Sequence, residues 1–207
     1  MGTLWFLLAF LFWALLHSVT AARPFKAWVR RRVGERAYAG FYRFFYNVVA
    51  VISFLPVLYL LATTIPGTIL WRVPRPVSFA FLLVQGIGLI GLLVSVWQTD
   101  IWRFAGVRQV VRYLNGEPDP EPPATFVRNG TYALVRHPLY FFSMLVIWFT
   151  PVMALNTLIF NVLATVYFYV GALHEERRLA ATFGERYRRY QEEVPAFIPL
   201  WRLETGK

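Results

Sequence analysis

Four apolar blocks, Leu4 to Ala22, Phe41 to Ile65, Val77 to Gln98 and Leu139 to Leu173, constrain this chain more than any other feature, because Arg43 is the sole Asp, Glu, Lys or Arg within them. About 20 mostly apolar residues carry a helix across the hydrocarbon core of a bilayer, and a helix satisfies its own backbone polar groups where water cannot. The first three blocks each predict one span. The fourth is too long for one, and Pro151 and Asn156 supply a break and a turn near its middle, so it predicts two short helices, 139–154 and 157–173, folded as a hairpin. The expected fold is therefore an all-α integral membrane protein. It has five transmembrane helices, including the C-terminal hairpin, followed by a cytosolic amphipathic tail helix. Along the sequence this gives a three-helix membrane region (1–98), a cytosolic interfacial loop (99–137), and a hairpin and tail (138–207). A composition of 57% apolar, 18% aromatic and only 15% charged residues agrees with a membrane environment.

The charge pattern orients the chain. With five spans, the first loop, the third loop and the tail share one side, and together with Arg43 at the start of the second block they hold every one of the 21 Lys and Arg residues except Arg72 and Arg75. By the positive-inside rule that side is the cytosol and the N-terminus lies outside, a multi-pass arrangement expected in the cell inner membrane. No basic residue precedes the first block while Arg23, Lys26, Arg30, Arg31 and Arg32 follow it, which favours a retained helix over a cleaved signal. The net charge of +10 sits at membrane ends, so anionic headgroups, not nucleic acid, are the expected partner. The absence of cysteine removes thiolate nucleophiles and Cys-based metal sites. His17, His137 and His174 are too scattered to form a ligand motif, so no protein-bound metal is expected.

Two motif matches carry no function. Gly86, Gly88 and Gly91 in GIGLIG satisfy the dinucleotide fingerprint, but that fingerprint requires a preceding strand. Here the glycines lie in a membrane helix, where small residues, including the Gly91/Ser95 pair, allow close packing. Asn129 to Thr131 reads NGT, better taken as a turn on the cytosolic side than as a glycosylation site. In the third loop, Thr99 to Leu114 suits an interfacial segment, NGEPDPEPP reads as a polar linker, and FVRNGTYALVRHPLY turns back toward the bilayer. In the tail, Leu179, Phe183, Tyr187, Tyr190 and Val194 recur at helical spacing, with Gly184 inside the expected helix and Pro195 ending it.

The hairpin makes a chemical prediction. Arg136 and His137 stand where the fourth helix enters the bilayer, and His174, Glu175 and Glu176 where the fifth leaves it. Folding the helices together would bring both clusters to one membrane face as a charged pocket on an apolar floor. The plainer alternative is that these groups snorkel to the headgroups and pair with one another. Adjacent carboxylates oppose the helix dipole at a C-terminus, which favours a ligand.

GTYALVRHPLY, then a hairpin, then EERRLAATFGERYRRYQEEVPAFIP, resembles the C-terminal signature of the isoprenylcysteine carboxyl methyltransferase superfamily of membrane enzymes. The pattern combines G-x-Y, R-H-P-x-Y, E-E-x-x-L, F-G-x-x-Y-x-x-Y and V-P-x-x-x-P over about the last eighty residues. Upstream, LLHSVTAARPFKAW and FAGVRQV are similar to the branch containing bacterial methanethiol S-methyltransferases and NnrU-like proteins. The resemblance implies S-adenosylmethionine as cofactor, held between hairpin and tail by Gly130, Tyr132, His137, Tyr140, Glu175 and Glu176. Carboxylates can accept from its hydroxyls or ammonium, His or Arg can pair its carboxylate, and a Tyr ring can meet its sulfonium. Phe142 departs from the glycine that many carboxyl methyltransferases carry two residues after the motif tyrosine.

Methyl transfer depends mainly on alignment and exclusion of water. A carboxylate acceptor is already ionised at neutral pH, whereas a thiol needs deprotonation or a cationic neighbour. Arg136 could orient either anion. His17, near the cytosolic end of the first span, could assist a thiol or could equally make a structural hydrogen bond to a neighbouring helix. The expected function is methyl transfer from S-adenosylmethionine to a small or lipophilic thiol, with Arg136 and His17 as candidate catalytic groups. The alternatives are isoprenylcysteine carboxyl methylation and a non-enzymatic NnrU-like membrane protein. A sterol-type reductase, with a related C-terminal half, needs a larger body than 207 residues provide.

Overall fold

The computed structural model describes residues 1–65, 67–117 and 126–199. In chain order they form α1 (Gly2–Ala21), α2 (Arg23–Val33), α3 (Glu35–Thr63), β1 (Ile69–Arg72), α4 (Arg75–Gln98), α5 (Ile101–Ala105), α6 (Val107–Leu114), α7 (Thr131–Leu134), α8 (Pro138–Trp148), β2 (Val152–Ala154), α9 (Leu155–Phe183) and α10 (Glu185–Glu193). The chain is thus mostly helical, with β1 and β2 paired in one small sheet. Among the described residues four helices, α1, α3, α4 and α9, are long and apolar enough to cross a membrane. Phe12, Ile52, Phe79 and Ile90 on these helices remain largely exposed, as lipid-facing side chains do.

Contacts divide the chain into two compact units, and this grouping cuts across the sequential division at 98 and 137. The first comprises Met1–Ile69, Thr99–Thr125 and Ala154–Thr157; the second Leu70–Gln98, Phe126–Met153 and Leu158–Lys207.

In the first unit α1 and α3 pack antiparallel. Thr64 bonds to Gly2 at one end, Trp13 Nε1 donates to the Ala50 carbonyl at 3.0 Å, His17 Nε2 lies 2.7 Å from Tyr46 Oη, and Tyr42 donates to the Thr20 carbonyl at the other end. Each bond joins a polar group to a partner on the facing helix, which is how polar atoms are retained in hydrocarbon. The expected interfacial segment forms α5 and α6. Asp100 starts it by accepting from Arg103 N and pairing with Arg108, and Tyr113 of α6 stacks on Phe41 of α3.

In the second unit α4 and α8 are the antiparallel pair. Gln85 Nε2 donates to the Val146 carbonyl at 2.7 Å, Gly88 lies against Leu145 and Val146, and Gly91 faces the Phe142 ring. Phe142 is buried in the space that Gly91 leaves. Gly88 and Gly91 of the dinucleotide-like match therefore serve helix packing, whereas a Cβ on Gly86 would meet open space. Ser95, also buried, donates to the Gly91 carbonyl and to Thr131 Oγ1.

The hairpin differs in its proportions from the expected 139–154 and 157–173. The helix α8 stops at Trp148, because the next stretch is committed elsewhere: the Pro151 carbonyl accepts from Val73 N at 2.9 Å and β2 pairs with β1. At 11 residues α8 is about 16 Å long, half the roughly 30 Å hydrocarbon core. The next helix, α9, runs past Leu173 to Phe183, since Glu175 to Leu179 are good helix formers. The tail helix is shorter than expected for a related reason. Gly184 does not sit inside a helix; its φ of +57° ends α9 and opens α10, a conformation that costs a glycine little. Most of the NGEPDPEPP linker, and the basic residues Arg202 and Lys207, lie outside the described residues.

Gly91→Ala should place a methyl group into the Phe142 ring. We expect a loss of about 1–3 kcal/mol from overpacking, seen as a lower thermal midpoint in detergent and partly relieved by Phe142→Leu in the same chain.

Candidate functional site

The polar clusters of the hairpin meet within the second unit. A backbone pairing of the tail with the α8 entrance sets the frame: Arg136 N donates to the Pro195 carbonyl at 2.9 Å and His137 N to the Ala196 carbonyl at 3.1 Å. The V-P-A-F-I-P stretch thereby lies beside R-H-P, and Pro138 begins α8, where its missing N–H costs nothing.

On this frame Glu176 is the hub. Its Oε1 accepts from Arg136 Nε at 2.7 Å and lies 3.1 Å from His137 Nε2, while its Oε2 accepts from Gln191 Nε2 at 2.9 Å. Arg136 Nη1 donates onward to the carbonyls of Gln191 and Val194 at 2.9 and 2.6 Å. Arg136 is thus turned toward Glu176 and the tail. A buried pair of this kind holds because every charge is hydrogen-bonded as well as paired. Glu175 is less committed. It lies 3.6 Å from His137 Nδ1 and 3.5 Å from Arg178 Nη2, and its side chain is 35% exposed against 18% for Glu176.

Aromatic rings surround the carboxylates. The buried His137 ring stacks between Tyr140 and Phe197, with centroids 5.6 and 5.5 Å away, and Tyr140 stacks in turn on Phe168 at 5.2 Å. Gly171 on α9 faces the Tyr140 hydroxyl, where a Cβ would come within 3.4 Å. On the tail side Phe126 contacts Phe183, Tyr187 and Tyr190. Tyr190 Oη donates to the Tyr132 carbonyl at 2.5 Å. Tyr187 is 1% exposed, and its hydroxyl is buried with no hydrogen-bond partner among the described residues. Burial, reinforced by Glu175 for Tyr132 and by Glu176 for Tyr187, pushes both phenols up; burial also raises Tyr190, to about 12.

Gly130 is placed by Gln98. Gln98 Oε1 accepts from Thr131 Oγ1 and Thr131 N at 2.6 and 3.2 Å, and its amide occupies the position a Cβ on Gly130 would need. With φ at +60°, position 130 favours glycine on two counts.

The structure therefore brings His137, Tyr140, Glu175, Glu176 and Arg136 into one cluster, linked to Tyr132 through Tyr190. Gly130 stands at the start of the same turn. His17 belongs to the first unit, where it bonds to Tyr46 and stacks on Trp13 at 5.5 Å. His174 bonds to the Val170 carbonyl on its own helix. Sequence reasoning missed Gln98, Gln191, Phe168 and Phe197 as partners. Tyr187 and Tyr190 were marked by their helical spacing and by the F-G-x-x-Y-x-x-Y pattern, but no local signal announces a buried hydroxyl or a side chain received from a distant segment.

A family model described as NnrU protein matches residues 5–196. The chain is 32% identical over 191 residues to a methanethiol S-methyltransferase of Crocosphaera subtropica, covering 90% of this chain and 71% of that protein. It is 33% identical over 187 residues to a methanethiol S-methyltransferase of Mycobacterium tuberculosis, covering 90% and 73%. A protein-S-isoprenylcysteine O-methyltransferase of Schizosaccharomyces pombe is 31% identical over 133 residues, covering 54% and 53%. No solved structure matches the chain.

The raised tyrosines give a pH signature. The unfolded chain loses phenolic protons from about pH 10, while folded Tyr190 holds its proton to about 12, so stability is unaffected below 10 and falls through that window. Thermal midpoints measured from pH 8 to 11.5 should decline above 10, and Tyr190→Phe should flatten the decline. At neutral pH the same variant should cost about 1–3 kcal/mol, because the Tyr132 carbonyl loses its donor.

Proposed function

The chain belongs to the NnrU family and is an integral membrane methyltransferase, and we propose that it moves a methyl group from S-adenosylmethionine to a small or lipophilic thiol such as methanethiol. The observation that carries this reading is the cluster at the α8 entrance. There, two carboxylates, an imidazole and a stacked tyrosine meet, and beside the carboxylates the Tyr187 hydroxyl is buried with no hydrogen-bond partner among the described residues.

These residues fit the chemistry of the donor. When bound, S-adenosylmethionine supplies a methyl group on a sulfonium, together with an ammonium, a carboxylate and ribose hydroxyls. Glu175, more exposed than Glu176 and held by its partners at longer distances, is the acceptor for hydroxyl or ammonium groups. Tyr187 offers a donor to an acceptor entering the site, and Tyr140, stacked on both His137 and Phe168, holds the imidazole in place beside it. Glu176 and Arg136 neutralise one another and hold α8, α9 and the tail in register, so we assign them to positioning these groups. Gly130 and Tyr132 form the turn that delivers the α8 entrance. We assign His17 to holding α1 against α3 through Tyr46.

The topology we propose keeps five crossings of the cell inner membrane, with the N-terminus outside and the site facing the cytosol. Four come from α1, α3, α4 and α9. In the fifth, α8 covers half the depth and residues 149–153 continue into β2 in part-extended form, each residue of extended chain reaching about 3.3 Å. The basic residues of the first and third loops and the tail support the orientation.

Thiol methylation is favoured over carboxyl methylation by the names of the relatives that cover most of the chain, and by Phe142. Its ring fills the α4–α8 contact that a glycine would leave open to a prenyl chain.

Calorimetry with S-adenosylhomocysteine tests the donor site. Glu175→Gln should weaken binding at least about tenfold, by loss of a hydrogen bond to a charged group, with the thermal midpoint unchanged. Glu176→Gln should lower the midpoint as well. Undiminished binding by a folded Glu175→Gln variant removes that residue from the site.

Acceptor choice is read by supplying methanethiol and a prenylcysteine at equal concentration. Thioether formation should dominate and should rise with pH toward the thiol pKa. Preferential ester formation with a flat profile would reverse the assignment.

A further inference from the structure

The first unit contains a pocket that the methyl-transfer site does not use. It lies between α2 and the first half of α3, has a volume of about 430 Å³, and is walled by Phe25, Val29 and Val33 on one side and Phe41, Phe45 and Val49 on the other. That volume falls within the roughly 300–1,000 Å³ of small-molecule sites. The α2 residues recur every four positions, so one face of that helix is apolar. On α3 the lining extends from Ala37 to Val49, about 18 Å at 1.5 Å per residue. The pocket is therefore long, apolar and directed along a membrane helix. Its polar groups are engaged within the protein: Tyr42 donates to the Thr20 carbonyl, and Tyr46 is bonded to His17. Such a lining suits a hydrocarbon chain and offers little to a polar solute.

The helix beside it has the opposite character on its remaining faces. Across Arg23–Val33 it carries Arg23, Lys26, Arg30, Arg31 and Arg32 and no acidic residue. Arg30 pairs with Glu35 at 2.6 Å and packs on Tyr38, and Arg32 packs on Trp28. Arg23 and Arg31 form no ion pair among the described residues, and both are exposed. An amphipathic, basic helix at the end of a membrane span lies where phosphates are.

We propose that this pocket holds one anionic phospholipid, with an acyl chain along α3 and its phosphate against the basic side chains of α2. The choice of an anionic lipid rests on charge complementarity. A neutral lipid would fill the pocket equally well but would leave Lys26 and Arg32, which flank its apolar face at 100° per residue, and the rest of a helix with no acidic residue, without an anionic phosphate. Bound there, the lipid would also fix α2 against α3, which otherwise meet across the cavity.

Native mass spectrometry of the full-length protein in mild detergent tests this, with phosphatidylglycerol and phosphatidylcholine of identical acyl chains added in equal amounts. One phosphatidylglycerol per chain should be retained, in preference to phosphatidylcholine by about fivefold or more, the scale of one basic residue at an anionic surface. Lys26→Gln with Arg32→Gln, the cations flanking the apolar face, should remove most of the preference while leaving a bound lipid. Val29→Trp should fill the pocket and expel both lipids, its thermal midpoint compared with the parent to establish folding. Equal retention of the two lipids, or unchanged preference in the double Gln variant, overturns the proposal. Undiminished retention by a folded Val29→Trp chain also overturns it. Displacement of the lipid by an equimolar long-chain alkyl thiol would reassign the pocket to the methyl acceptor.

Discussion

The Arg136–Glu176 pair is the interaction on which the site depends. It joins three separate pieces of chain: the residue before the α8 entrance, the end of α9, and, through Arg136 and Gln191, the tail carried by α10. Breaking a largely buried pair by removing one partner leaves the other charge uncompensated, a penalty of about 3–5 kcal/mol. Here loss of Arg136 would also release two tail carbonyls, and loss of Glu176 the His137 imidazole. The same pair explains why two adjacent glutamates can play different parts. One carboxylate is consumed by the framework, and the other, more exposed, is held only at 3.6 Å by His137 and 3.5 Å by Arg178.

A second constraint, steric rather than electrostatic, governs the membrane part of the unit. Gly88 and Gly91 leave α4 without side chains where α8 crosses it, and Phe142 and its neighbours occupy that space. In hydrocarbon no hydrophobic effect drives helices together, so close packing and internal hydrogen bonds such as Gln85 to Val146 do that work. The large residue on α8 and the small one on α4 form one feature. It explains how a chain with phenylalanine two positions after the R-H-P-x-Y tyrosine remains well packed.

The tail illustrates how a broken element can preserve a pattern. Phe183, Tyr187 and Tyr190 were expected on one face of a continuous helix. Gly184 divides that helix, yet all three rings converge on Phe126. The spacing of large residues reported what they bury against, while the positive φ at Gly184 set the direction from which they arrive. The resulting cluster buries the Tyr187 hydroxyl and holds the Tyr190 proton above the ordinary phenol range, to about 12.

The sequence by itself determined the membrane class, the apolar blocks and the meeting of the R-H-P and E-E clusters, because these follow from hydrocarbon thickness, charge placement and the reach of a hairpin. It also marked Gly91 and Ser95 as packing residues. It did not determine where helices end when a distant strand competes for the backbone, as β1 does at Pro151, nor that Gly184 would be a break. Whether Glu175 or Glu176 is left available, and whether His17 is engaged by Tyr46, was likewise undecided. Those outcomes rest on partners far along the chain: Gln191 and the tail carbonyls, Val73, and a tyrosine on the facing helix. A residue's type and spacing state what it can bond to, but only tertiary packing decides which of several competent groups arrives first within hydrogen-bonding distance, because such bonds act over about 3 Å and carry no trace in local sequence.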